Sequence, residues 1–278
     1  MIMDILVHIP TERAMRPVVD AAISLGTTFG ARVDALAVGY IPTSTAYVVV
    51  GGAAAAVAAV FETEQRRAAE RSAAALAVFE TRNAGISYQC RSIENLPAEA
   101  ASALGDAARL YDLTVVLQPD AALQCSDNMT ATEILLQAGG PVLFVPHIFH
   151  GSSKPKRIGV CWDGSRLAGR ALRDARQFLS NADAVVTISI NEAQLVPAEA
   201  SAQKLVQHMA RSGLATKLIE LTADHSEIQP SILSLAADET LDMLVMGAYG
   251  HARLQERLLG GVTREMLQTM TVPTLMSH

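Results

Sequence analysis

The organisation of this chain follows from one stretch of its sequence, Leu241-Asp-Met-Leu-Val-Met-Gly247-Ala-Tyr-Gly250-His-Ala-Arg253-Leu-Gln-Glu-Arg257-Leu-Leu-Gly260-Gly261-Val262-Thr263. It opens with an apolar run from Met243 to Met246, which is typical of a parallel strand that is buried on both faces. The run stops at Gly247, and a helix is predicted to begin near Gly261. Glycines let backbone N–H groups approach an anion closely, and a helix N-terminus adds unpaired donors and partial positive charge. The stretch therefore predicts a phosphate-binding loop between a strand and a helix.

The glycine spacing of this loop resembles the nucleotide-binding signature of the universal stress protein family. Two residues separate Gly247 from Gly250, and nine separate Gly250 from Gly260. The family pattern continues with Ser or Thr, where this chain has Gly261, so the match is incomplete at that position. This full spacing between a strand and a helix is more specific than an isolated pair of glycines. A loop that only turned the chain would need fewer glycines.

The resemblance implies that the second half of the chain binds an adenine nucleotide, ATP, with or without Mg²⁺. Asp163 stands where the family has an aspartate near the base, and Cys161 and Ile190 stand where its strand ends contact the base. In the family, a further hydroxyl that helps to hold the phosphates stands near the position of Thr263. The residues predicted to bind the nucleotide are Cys161, Asp163, Ile190, Gly247, Gly250, His251, Arg253, Gly260, Gly261, Val262 and Thr263. No catalytic residue and no metal site are predicted.

Each of these assignments has a structural alternative. Asp163 precedes a glycine at a predicted helix start, and a tight Asp-Gly turn would explain it equally well. Cys161 and Ile190 also fit plain core positions. His251 and Arg253 either meet phosphates or belong to a solvated loop face, and for Arg257 the solvated face is favoured. The missing hydroxyl at Gly261 removes one hydrogen bond to a charged group, worth roughly 1.5–3 kcal/mol.

Composition narrows the class of protein. The chain has 278 residues, half of them hydrophobic, and a net charge of −6. It can bury a full core, and it lacks the basic excess of a nucleic-acid-binding protein. Its three cysteines are far apart, and its N-terminus does not look like a signal peptide, so we expect a reducing cytoplasm. The apolar stretch 46–61 is shorter than the roughly 20 residues that span a bilayer, so no membrane contact is predicted.

Strands and helices alternate twice along the chain, and in the first half helices are predicted from Glu12 to Phe29 and from about Met129 to Ala138. Each half ends with a helix, a proline and a short apolar strand, as in Pro141 to Val145 and Pro273 to Met276. This pattern predicts an internal duplication of an α/β unit with parallel strands. We expect two domains, residues 1–146 and 156–278, joined by a linker. The resemblance adds the flavodoxin-like, or Rossmann-like, strand order 3-2-1-4-5 in two five-stranded parallel sheets, with helices on both faces, and pairing of the two last strands.

Ligands of such sheets bind where the strand order reverses, between strands 1 and 4. In the second half, the loop after Cys161 and the loop after Gly247 should meet there. In the first half, Pro10 is predicted to take the place of Asp163, and Gln118 the place of Gly247. No glycine occurs between Gly105 and Gly139. We therefore expect at most one nucleotide per chain, held by the second half. The first half should keep a crevice, lined by Pro10, Gln118 and Pro119, that holds a different ligand or none.

These observations favour a tandem universal stress protein with a regulatory or signalling role in the stress response and an unidentified protein partner. Two alternatives remain open. One is a stress-related interaction protein that has lost nucleotide binding, with Gly261 as the mark of that loss. The other is a slow ATPase. Further pairing into a homodimer through helices is also left open.

Overall fold

The computed structural model describes residues 1–42, 54–82, 85–150, 154–191, 196–248 and 261–278. The strands in these ranges are β1 (Asp4–Ile9), β2 (Arg32–Tyr40), β3 (Tyr88–Asn95), β4 (Leu113–Leu117), β5 (Val142–Val145), β6 (Arg157–Cys161), β7 (Ala184–Ile190), β8 (Thr216–Leu221), β9 (Met243–Gly247) and β10 (Thr274–Ser277). The α-helices are α1 (Arg16–Phe29), α2 (Ala54–Arg82), α3 (Pro97–Ala108), α4 (Ser126–Gln137), α5 (Arg166–Asp174), α6 (Arg176–Ser180), α7 (Ala202–Arg211), α8 (Ile228–Asp238) and α9 (Val262–Thr269).

All ten strands belong to one sheet, in the order β3-β2-β1-β4-β5-β10-β9-β6-β7-β8. The prediction of two separate sheets is therefore corrected, although each half of this sheet runs in the order third, second, first, fourth, fifth. The halves join because β5 and β10 pair antiparallel, with Leu143 opposite Leu275. A free strand edge exposes unpaired backbone groups, and this pairing removes one such edge from each half. The expected contact between the two last strands is thus confirmed.

Equivalent backbone hydrogen bonds in the two halves show which of their residues correspond. The N–H of Asp112 donates to the carbonyl of Asp4, and the N–H of Asp242 donates to the carbonyl of Arg157 in the same way. The strands that follow Asp112 and Asp242 therefore correspond residue by residue. Gly247 ends β9 as Leu117 ends β4, so the predicted match of Gly247 with Gln118 was one residue off.

The core lies in two apolar layers, one on each face of the sheet. Successive strand residues point to opposite faces, so Val7 and Val115 join one layer, whereas Leu6, Val116 and Phe144 join the other. Both layers contain residues from both halves. Residues 113–117 of β4 are all buried, as the apolar run of a central parallel strand predicts.

Aromatic packing also crosses between the halves. The rings of Phe29 and Phe178 meet edge to face, with their centroids 5.0 Å apart. Phe178 is buried in α6, and Phe29 is the last residue of α1. The two halves therefore share core contacts in addition to the β5–β10 pair.

Two helix starts differ from the prediction for a common reason. A helix was predicted from Glu12, but α1 begins at Arg16; another was predicted from Met129, but α4 begins at Ser126. The extra first turn of α4 carries Asp127, whose carboxylate accepts the backbone N–H groups of Thr11 and Glu12. Those N–H groups are therefore held in a loop. None of the helices in the described ranges is long and apolar enough to cross a bilayer.

Candidate functional site

The carboxyl ends of β7, β6 and β9 lie side by side in the second half. Cys161 at the end of β6 pairs with Ile188 of β7, two residues before Ile190. On its other side, β6 pairs with β9, which ends at Gly247. The strand order reverses at β6, so this is the place where an open α/β sheet binds ligands. Three of the residues predicted from the sequence, Cys161, Ile190 and Gly247, therefore lie at one edge of the sheet.

The loop after β6 forms a tight turn that presents Asp163 to solvent. Oδ1 of Asp163 accepts the backbone N–H of Ser165 at 2.9 Å, and Gly164 between them has a φ of +68°. Ser165 then caps α5 by accepting the N–H of Ala168 at 3.1 Å. Among the described residues, no group donates a hydrogen bond to Oδ2 of Asp163. The turn proposed as a structural alternative is present, and it leaves one carboxylate oxygen facing outward.

Trp162 fixes this loop to the chain that follows β7. Its backbone N–H donates to the carbonyl of Ile188, and its indole N–H donates to the carbonyl of Ala200 at 2.7 Å. A Cβ on Gly164 would lie 2.7 Å from Cγ1 of Val196, so the two segments touch. The sequence reading missed Trp162. The available signal was a tryptophan at a strand end, because a half-buried indole N–H usually finds an acceptor.

Asn191, also missed, closes the end of β7. It has a φ of +60°, which only glycine and a few short polar residues adopt readily. Its side-chain amide donates to the carbonyl of Ala223 at 2.7 Å, and its side-chain oxygen accepts the N–H of the same residue at 3.0 Å. This double contact ties the ends of β7 and β8 together directly after Ile190.

The half-buried side chains of Cys161, Ile190 and Val262 pack against one apolar cluster, to which Met246 and Met266 belong. Burial, with a smaller contribution from the Asp163 carboxylate, raises the pKa of the Cys161 thiol to about 12. Cys161 is therefore a neutral, apolar contact at neutral pH rather than a nucleophile, because thiol reactivity depends on the thiolate.

Gly247 is constrained by packing in the fold. A Cβ at this position would lie 2.6 Å from the backbone N of Ala168 and 2.7 Å from the backbone C of Leu167. Both atoms belong to the first turn of α5, so only a residue without a side chain lets this helix pack against β9. A residue with a side chain in place of Gly247 would therefore disturb the fold. Its contact with a phosphate stays a prediction.

Helix α9 begins without a side-chain cap. Gly261 takes the extended conformation of an N-cap residue, with φ −68° and ψ 147°, and its carbonyl accepts the N–H of Glu265 at 3.1 Å. Gly261 has no hydroxyl that could accept an N–H group of the first turn, as the side chain of a Ser or Thr N-cap does. Thr263 lies in that turn and is 5% exposed. The predicted residues Gly250, His251, Arg253 and Gly260 lie outside the described residues.

The corresponding place in the first half is filled by protein. Pro10, Gln118 and Pro119, which were predicted to line a crevice, are all buried. Asp127 of α4 extends into this place from the helix start, and its Oδ2 lies 3.0 Å from the N of Thr11. The first turn of α4, which was not predicted, therefore fills the expected crevice at Pro10 and Gln118, and of the three residues only Pro119 lines a cavity among the described residues.

A cavity of about 610 Å³ lies beside the loop that follows β4, and Pro119 and Asn128 help to line it. It opens between α4 and α9, and charged residues on its walls are Asp120, Glu133 and Arg264. It is therefore a feature of the junction between the halves. In the ranges that the structure describes, no group of three or more His, Cys, Asp or Glu side chains is arranged to hold a metal ion.

Comparisons with known proteins agree with this geometry. Residues 154–278 match the model of the Universal stress protein family. The chain is 24% identical over 144 residues to Universal stress protein Slr1230 of Synechocystis sp., a match that covers 49% of this chain and 46% of that protein. The chain thus matches less than half the length of this relative.

Solved structures share the fold over almost the whole chain. A universal stress protein from Archaeoglobus fulgidus DSM 4304 has a TM-score of 0.69 and 14% identity, covering 98% of this chain and 95% of that one. A putative universal stress protein from Pseudomonas aeruginosa UCBPP-PA14 has a TM-score of 0.60 and 14% identity, covering 99% and 93%. At these identities the likeness concerns the fold.

Proposed function

Because the chain carries a universal stress protein domain over residues 154–278, we propose that this half binds an adenine nucleotide, ATP, with or without Mg²⁺, in a regulatory role in the stress response. The nucleotide lies across the ends of β7, β6 and β9, and its phosphates face the start of α9. The protein acts by sensing or signalling rather than by turnover.

The observation that carries this proposal is the start of α9 at Gly261. The helix follows the glycine-spaced loop directly, and its N-cap residue offers no side chain to its first N–H groups. The partial positive charge of a helix N-terminus stabilises a negative charge placed beside it. A phosphate group supplies that charge.

The base is proposed to rest at the other end of the site. Cys161 and Ile190 provide half-buried apolar contacts, and the outward oxygen of Asp163 accepts a hydrogen bond from an exocyclic amine. Asn191 holds the β7 end in place through its two bonds to Ala223. The proposed roles of Gly250, His251, Arg253 and Gly260 rest on the sequence resemblance alone.

We also propose that the chain is a tandem protein of two repeated units, residues 1–146 and 156–278, that works in the cytoplasm. In this arrangement, the first unit supports the second and offers a surface to a protein partner. The equivalent strand orders of the two halves and their joined last strands support this division.

The test is calorimetric titration of the full chain with ATP, ADP and AMP. We expect saturable ATP binding with a stoichiometry near one. Asp163→Ala should weaken it, whereas Asp183→Ala, which removes an exposed aspartate at the opposite end of the sheet, should leave it unchanged. Two ATP per chain, or equal affinity in Asp163→Ala and the unmodified protein, would contradict the proposed site.

The second candidate is an interaction protein that does not bind nucleotide. Two observations favour it: Gly261 lacks the hydroxyl of the family pattern, and helix packing by itself explains Gly247. Nucleotide released when the purified protein is denatured separates the candidates. Bound ATP supports the first proposal, and its absence together with a flat titration supports the second. Bound ADP supports slow ATP hydrolysis.

A further inference from the structure

The first half of the chain gathers hydrogen-bond donors around one buried carboxylate. Asp127 is 1% exposed. Its Oδ2 accepts the backbone N–H groups of Thr11 at 3.0 Å and Glu12 at 2.8 Å, and its Oδ1 accepts the hydroxyl of Tyr40 at 3.0 Å. Three hydrogen-bond donors from two separate parts of the chain thus converge on this one carboxylate. The surroundings of Asp127 therefore have the chemistry of an anion site.

A further buried group faces the same carboxylate. Nε2 of His8 lies 3.7 Å from Oδ1 of Asp127. The His8 side chain is 1% exposed, and its Nε2 has no hydrogen-bond partner among the described residues. Burial lowers the pKa of His8, and the nearby Arg13 cation lowers it further, against the opposing effect of Asp127. The imidazole is therefore neutral at neutral pH, and its contact with Asp127 is not a salt bridge.

These groups come from the same face of three neighbouring strands. His8 and Gln118 come two residues after Leu6 and Val116 and therefore lie on the same face of the sheet, and Tyr40 ends β2. Nε2 of Gln118 is buried and has no hydrogen-bond partner in the part of the chain that the structure describes. The site therefore lies at the carboxyl ends of β1, β2 and β4, where the strand order of the first half reverses.

The second half has a different sequence at the corresponding positions. The N–H of Thr114 donates to the carbonyl of Pro141, and the N–H of Leu244 donates to that of Pro273, so the two prolines correspond. Thirteen residues before these prolines, the first half has Asn128 and the second has Gly260, the third glycine of the signature. Polar side chains thus stand in the first half where the second half has glycine.

Asn128 holds the neighbouring loop closed. Its side-chain amide donates to the carbonyl of Asp120 and to that of Leu123, and its side-chain oxygen accepts the N–H of Asp120 at 2.9 Å. Arg13 donates to the same oxygen and to the carbonyl of Gln118. The side chains of Asn128 and Arg13 therefore hold the loop after β4 in place next to Asp127.

We propose that the carboxyl ends of β1, β2 and β4 form a small-carboxylate site whose ligand is the side chain of Asp127 itself, and that free anions are excluded from it while Asp127 is in place. This inference concerns the first half and stands apart from nucleotide binding by the second. It explains why three hydrogen-bond donors meet at the strand ends of the first half, although protein fills the place where a ligand would bind.

The test removes the internal ligand and supplies a free one of matching size. Asp127→Ala deletes one carboxylate group, which formate replaces; Asp127→Gly deletes one methyl group more, which acetate replaces. Thermal unfolding of the full chain is measured in formate, acetate and chloride at equal ionic strength. Asp106→Ala, which removes an exposed aspartate of α3 with 62% side-chain exposure, is the control.

We expect formate to stabilise Asp127→Ala in a saturable manner. The ratio of folded to unfolded protein should rise about tenfold when formate reaches nine times its dissociation constant. Acetate should stabilise Asp127→Gly and have less effect on Asp127→Ala, because its methyl group meets the Ala side chain. The unmodified protein and Asp106→Ala should show the same small change in formate as in chloride.

Three outcomes would overturn the proposal. They are an Asp127→Ala variant as stable as the unmodified protein, an equal formate effect in Asp127→Ala and Asp106→Ala, and no formate effect beyond that of chloride. If Asp127→Ala is recovered only as insoluble protein, its refolding yield in formate against chloride gives the same comparison, and equal yields would contradict the proposal.

Discussion

The indole of Trp162 and the carbonyl of Ala200 are joined by a hydrogen bond of 2.7 Å, which ties the loop after β6 to the segment that follows β7. Trp162 is the single tryptophan of the chain and directly precedes Asp163. A ligand that contacts Asp163 therefore changes the surroundings of the one indole in the protein.

The first prediction uses this indole as a reporter. Titration with ATP should change the fluorescence of Trp162 with the same dissociation constant that calorimetry gives. Trp162→Phe should lose the fluorescence change and keep binding, since the proposed contacts to ATP do not include the indole. Calorimetric binding without any change in Trp162 fluorescence would place the nucleotide elsewhere in the protein.

The second prediction concerns Gly261. Its extended φ and ψ suit any residue, and serine is a preferred helix N-cap. Gly261→Ser should tighten ATP binding roughly tenfold or more, the effect of one hydrogen bond to a charged group. ADP binding should tighten less, because the added hydroxyl faces the terminal phosphates. Both affinities are measured by calorimetry.

Gly261→Ala is the matched control, because it adds a Cβ without a hydroxyl. It should leave the ratio of ATP to ADP affinity unchanged. An equal gain for ATP and ADP in Gly261→Ser, or weaker binding of both, would contradict the proposed position of the phosphates.

Much of the fold could be predicted because it follows from short-range patterns. The apolar run of β9 and the glycine after it predicted a buried parallel strand, and the two proline-led last strands predicted the duplication. The pairing of β5 with β10 followed from the resemblance. A single ten-stranded sheet is the consequence of that pairing, and it was missed because the two halves were considered as separate sheets.

The interior of the first half could not be predicted, because it depends on one helix turn. Ser126, Asp127 and Asn128 precede an apolar helical pattern, and such residues are typical of helix starts. The helix was predicted to begin only at about Met129, so Asp127 was not assigned to its first turn. The contacts from Asp127 to Thr11 and Tyr40 join residues 116 and 87 positions apart, and no local pattern in a single sequence reports contacts of that range.

The third prediction concerns pH. Burial holds the pKa of His8 below its ordinary value of about 6.5 in the folded protein. As pH falls below that value, the unfolded chain binds a proton that the folded protein does not, so stability is lost on the acid side. The contribution of one such group is at most about 1.4 kcal/mol per pH unit.

Chemical denaturation between pH 7.5 and 5 measures this contribution. His8→Gln keeps a polar side chain beside Asp127 but cannot titrate, so its free energy of unfolding should fall less steeply with decreasing pH. His208→Gln, at an exposed position of α7, is the control for removal of a histidine. Equal slopes for His8→Gln and the unmodified protein would show that His8 does not govern the acid response.

The last prediction tests how the two proposed units are held together. A protease site inserted between Gly151 and Ser152 allows the chain to be cut in the predicted linker, and the two fragments should still elute together in size-exclusion chromatography. The β5–β10 pair and the contact of Phe29 with Phe178 hold them together.

Phe178→Ala should weaken this association, because losing a buried Phe side chain costs about 3–5 kcal/mol. Its fragments should therefore separate on dilution before those of the unmodified protein. Uncut Phe178→Ala is the control for folding of the variant. Separation of the unmodified fragments at micromolar concentration would show that covalent linkage, and not the shared sheet and core, holds the halves together.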